Sequence, residues 1–127
     1  MTGQQLLESA LDLCALRETN GTIPSDSADL TQRAPALINV LLAENAWLDA
    51  RISKTDLTLH TISALTDTVS VNALLAGSVF PYGLARLLMT GEDDAAAAKF
   101  GELYEAARAE ALRSGRAVSE SITEVYT

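Results

Sequence analysis

Val71-Asn72-Ala73-Leu74-Leu75-Ala76-Gly77-Ser78-Val79-Phe80-Pro81-Tyr82-Gly83-Leu84-Ala85-Arg86-Leu87-Leu88-Met89-Thr90-Gly91-Glu92-Asp93-Asp94 decides how this chain folds. Val71, Leu74, Leu75, Phe80, Leu84, Leu87 and Leu88 lie close to one face at the helical period, which predicts an apolar helix over about 72–90. Pro81 lacks an N–H and crowds the preceding turn, so the helix is expected to kink there. Gly77 and Gly83 would let another backbone approach closely. Thr90-Gly91 ends the run. Glu92, Asp93 and Asp94 then open a second helix, where negative charge suits the N-terminal dipole. Ala96, Phe100, Leu103, Tyr104, Ala107 and Ala111 form its stripe, and Gly115 is expected to close it. The product is an antiparallel helix pair with an interruption in its first arm. It fixes a fold and offers no chemistry.

Upstream, Thr2 and Gln5 have capping-box spacing at the head of a helix over Gly3 to Arg17, with Thr19-Asn20-Gly21 as its stop. A polar loop carries Pro24, and Ser25, Asp26 and Ser27 compete to cap a second helix over about 28–52. Leu30, Ala34, Leu37, Ile38, Leu41, Leu48 and Ile52 mark its buried face. Pro35 lies inside the pattern, so a break or kink is expected near Arg33. Trp47 sits one residue off this stripe and is read as widening the core, with an exposed anchor as the alternative. Between the second and third helices, Lys54-Thr55-Asp56-Leu57-Thr58-Leu59-His60-Thr61-Ile62 alternates and is rich in β-branched residues, a strand-like segment. One such strand is marginal alone, so it must lie on the helices or pair with another chain. The predicted fold is all-α: a four-helix bundle-like domain over residues 1–115 and a loose C-terminal tail over 116–127. Val118, Ile122, Val125 and Tyr126 in the tail show no clear period. Burying each would contribute ~1.5–3 kcal/mol. Ordering the tail backbone costs ~1–2 kcal/mol per residue, so a single docked tail would be weak.

The chain has 127 residues, which suits one domain. Its 48% hydrophobic content excludes wholesale disorder. A net charge of −8 argues against a dedicated nucleic-acid binder, because counterion release on DNA needs cations. The run 68–85 carries no charge but includes Ser70, Asn72, Gly77, Ser78, Pro81 and Gly83, which favours a buried helix over a membrane span. Met1 to Gln5 lack the basic start of a signal peptide. Cys14, the single cysteine, lies in an apolar stripe and reads as a small buried hydrophobe. No phosphate loop, dinucleotide fingerprint or metal-ligand spacing is present, so no cofactor, metal or catalytic residue is assigned. His60, the single histidine, reads as a surface or interface residue. Glu92, Asp93 and Asp94 lack the alternating ligands of a calcium loop.

Three stretches carry a family likeness. Arg33-Ala34-Pro35-Ala36-Leu37-Ile38-Asn39 falls in an early long helix. Pro81-Tyr82-Gly83-Leu84-Ala85-Arg86-Leu87-Leu88 precedes an acidic Gly turn. Phe100-Gly101-Glu102-Leu103-Tyr104-Glu105-Ala106-Ala107-Arg108 follows, before a tail ending Ile122-Thr123-Glu124-Val125-Tyr126. This order resembles small head–tail connector (adaptor or head-completion) proteins of tailed bacteriophages and prophages, over most of the chain from about Gln5. The resemblance implies a structural virion protein, not an enzyme, that forms a homo-oligomeric ring between the portal protein and a tail-side neck protein. DNA would pass through its channel without specific binding. It further implies residence in the virion neck, and in the host cytoplasm before assembly. The interface roles it carries over fall on Leu57, Leu59 and Ile62 of the extended segment, on Tyr82, and on Ile122, Val125 and Tyr126. An acidic channel wall that does not grip phosphates fits this expectation. The competing reading is a small bacterial interaction or regulatory module that acts as a helical dimer.

Overall fold

Both halves of the expected capping box form. Gln5 N–H donates to Thr2 Oγ1 (3.2 Å) and Thr2 N–H donates to Gln5 Oε1 (2.9 Å), so two otherwise orphaned donors at the head of helix α1 (Gly3–Leu13) are satisfied. The computed structural model describes residues 1–15 and 28–126, with side chains as far as Ser114. Helix α1 ends sooner than predicted: Cys14 caps it and Ala15 takes a left-handed φ of 57°. The predicted stop at Thr19-Asn20-Gly21 lies outside the described residues.

The fold is all-α. Among the described residues the four predicted helices resolve into six: α1, α2 (Ala28–Glu44), α3 (Ala46–Ser53), α4 (Ala73–Ser78), α5 (Phe80–Met89) and α6 (Asp94–Tyr126). The two added breaks have different causes. Pro35 does not break α2, so of the break or kink expected near Arg33 no break forms. Leu30, Ala34, Ile38, Leu41 and Leu42 are buried on both sides of it, so packing holds the helix through the missing hydrogen bond. The break comes at Asn45, whose side-chain Nδ2 donates to the Leu41 carbonyl (2.8 Å). An Asn amide competes with the backbone for carbonyls in this way, and that favours a helix end. Trp47, just beyond, is 53% exposed with Arg51 5.5 Å from its ring centroid. It is not a core residue, contrary to the favoured sequence reading.

Between α4 and α5 the chain breaks at Val79, two residues before Pro81. Pro81 therefore lies in the first turn of α5, where a missing N–H is harmless, and the interruption expected in this arm falls two residues before it. Helix α5 is buried nearly all round: Phe80, Pro81, Gly83, Leu84, Ala85, Leu88 and Met89 are inside. Such a helix belongs at the centre of a domain. It packs on α1, α2, α4 and α6. Gly91 turns the chain with a φ of 88° and donates to Asp94 Oδ1 (3.0 Å), while Ala96 N–H donates to Asp93 Oδ1 (3.1 Å). The acidic cluster is thus a helix start, as its position predicted. Helix α6 returns antiparallel, with Tyr104 against Gly83 and Arg86 against Gly101. It passes through Gly115, so no helix stop forms there.

Residues 54–72 form no strand. Among the described residues the sole bridge is an isolated one between Thr2 and Thr68. Main-chain bonds from Gly3 N–H to Asp67 O (3.0 Å), Gln4 N–H to Leu65 O (2.8 Å) and Val69 N–H to Met1 O (2.9 Å) tie this segment to the start of α1. Ile62 and Val69 enter the core. No helix among the described residues is long and apolar enough to cross a membrane.

Candidate functional site

The extended segment becomes an arch because both its ends are pinned. Lys54 closes α3 with a left-handed φ of 57°. At the far end Asn39 of α2 clamps one residue on both sides: Ile62 N–H donates to Asn39 Oδ1 (2.8 Å) and Asn39 Nδ2 donates to the Ile62 carbonyl (2.9 Å). Ile62 is only 5% exposed. It belongs to this chain's own core, which corrects its reading as an interface residue. Downstream, Asp67 Oδ2 accepts from Ser63 N–H (2.8 Å) and Ala64 N–H (3.1 Å), and these bonds hold its carboxyl below the usual range. Asn72 N–H donates to Asp49 Oδ1 (2.7 Å) and its Nδ2 to Ser53 Oγ (3.0 Å), which fastens the start of α4 to α3.

Between the pins Leu57 is 63% and Leu59 59% exposed. Among the described residues no backbone N–H from Asp56 to Thr61 bonds to the rest of the chain. His60 is exposed on the same arch. Replacing Asn39 with alanine is expected to release Ile62 at a cost of about 1–3 kcal/mol, since buried main-chain groups lose their partner. Hydrogen exchange of the Ile62 amide should then accelerate while amides in α5 keep their protection. Equal acceleration in both places would show that the clamp is not local.

Tyr82 is half-buried and lines a cleft of about 410 Å³ with Ser9, Leu13, Gly77, Ser78 and Pro81. Ile122, Val125 and Tyr126 fall within the span of α6, but their side chains lie outside the described residues. Leu57 and Leu59 thus share the arch, and Tyr82 lines the cleft.

One buried polar cluster was missed in the sequence. Asn45 is fully buried, and its Nδ2 also donates to the Tyr104 hydroxyl (2.8 Å). Tyr104 donates on to Glu44 Oε1 (2.9 Å), which also accepts from Arg86 Nη2 (2.9 Å). Arg108 Nε donates to Asn45 Oδ1 (3.0 Å) and its Nη2 to the Glu44 carbonyl (3.3 Å). The guanidiniums of Arg86 and Arg108 lie 4.7 and 5.4 Å from the centroid of the Tyr104 ring. Arg86 Nε finds no hydrogen-bond acceptor among the described residues, and the negative ring face beside it supplies the attraction instead. This network welds the α2–α3 break to α5 and α6. An Asn-Tyr-Arg set spaced over 63 residues leaves no local pattern to read.

Burial, more than any other effect, pushes the Tyr104 phenol from 10.0 to about 12, and Glu44 adds to the rise while the Asn45 bond opposes it. A raised folded value means that the unfolded chain ionises first. The contribution is complete below pH 10 and is lost as pH rises toward about 12. Tyrosinate absorbance from Tyr104 is expected only as pH approaches about 12, together with a falling denaturant midpoint. Burial likewise pushes the Cys14 thiol to about 11, which suits an unreactive packing residue.

Among the described residues no three His, Cys, Asp or Glu side chains gather as metal ligands would. No protein-family model, no curated protein and no solved structure matches this chain.

Proposed function

We propose that this chain is a structural protein of the phage neck, forming a homo-oligomeric ring that joins portal to tail and extends the DNA channel. The observation that carries the reading is the pinned arch, which holds in water Leu57 and Leu59, the two most exposed large apolar side chains among the described residues. Two large aliphatic side chains, side by side and held out by their own tethers, suit a surface that another subunit covers. The resemblance of the helical stretches to head–tail connectors supplies the kind of assembly. The net charge of −8 suits a channel that lets DNA slide without phosphate contacts. In this reading the protein resides in the host cytoplasm until it joins the virion neck, and it carries no catalytic role.

Deleting the gene from an inducible phage or prophage should accumulate filled heads and separate tails, visible by electron microscopy. Portal protein should also retain the chain in a pull-down. Normal virions from the deletion strain would remove the proposal. The dimeric regulatory module is the second reading, favoured by the exposure of Trp47 on α3. It predicts a stable dimer in solution and no co-purification with phage particles.

A further inference from the structure

We draw no further inference here: the strongest candidate, the cleft of about 410 Å³ that Ser9 and Leu13 of α1 form with Gly77, Ser78, Pro81 and Tyr82 at the α4–α5 junction, carries nothing because nothing in the structure shows what covers it.

Discussion

Replacing Tyr104 with alanine is expected to cost about 3–5 kcal/mol, the usual range for removing a buried aromatic ring. Tyr104 is 1% exposed and sits where α2, α5 and α6 meet. The substitution takes out the ring that two guanidiniums flank and strips Asn45 of one acceptor and Glu44 of one donor. Domains of this size keep only ~5–15 kcal/mol in total. A drop of roughly 10–20 °C in Tm should follow. Tyr104→Phe isolates the hydroxyl, and about 1–3 kcal/mol of the loss should remain, because the buried Asn45 amide is still left short of a partner. Urea unfolding followed by circular dichroism measures both. If alanine costs less than 1 kcal/mol, Tyr104 does not hold the three helices together.

The second large effect belongs to Gly83. A Cβ there would lie 2.6 Å from Leu41 Cδ2 and 2.8 Å from Tyr104 Cε1. Alanine normally gains about 1 kcal/mol over glycine inside a helix. Here overpacking of ~1–3 kcal/mol opposes it, because the Tyr104 ring is buried, beside two guanidiniums, and tied by its hydroxyl to Asn45 and Glu44. Gly83→Ala should therefore destabilise by about 1–2 kcal/mol, and Gly83→Val by more. The two sites touch, so their effects should not add. In a Tyr104→Ala background the obstruction from the ring is gone while Leu41 Cδ2 remains at 2.6 Å, so Gly83→Ala should destabilise less than it does in the parent chain. A destabilisation of the same size in both backgrounds would refute the contact as the cause.

These two residues mark how far the sequence could be read. The pairing of the Phe80–Leu88 run with the Phe100–Tyr104 stripe was legible, because helical periodicity and a Gly-acidic turn are local signals. The capping box at Thr2 and Gln5 was legible for the same reason. Gly83 was flagged for close approach, but what approaches is side chain, and Gly77, flagged with it, faces open space. The two prolines act differently: α2 runs unbroken through Pro35, held by burial on both sides, whereas the expected interruption of the 72–90 arm does occur, at Val79, with Pro81 in the first turn beyond it. Asn45, which does break a helix, lies in an apolar run whose period hides it.

The candidate surface was half legible. Alternation picked out 54–62 as extended, and Leu57 and Leu59 are indeed outside. Ile62 continues the same alternation and yet is buried, because Asn39 recruits its peptide across 23 residues. Trp47 was placed in the core on its nearness to the leucine stripe. The reset of helical phase at Asn45 turns it outward, and no stripe drawn straight through that position could have shown it.

The tethers of the arch have a practical corollary. A span whose two stems are fastened to the scaffold by Lys54 and by Asn39 can change its length and wording without disturbing what lies beneath. Lengthening a flexible loop costs only about 0.6 kcal/mol per doubling. The segment from Thr55 to Thr61 is therefore a natural graft site, able to display a foreign epitope or a new specificity while the six helices remain as they are.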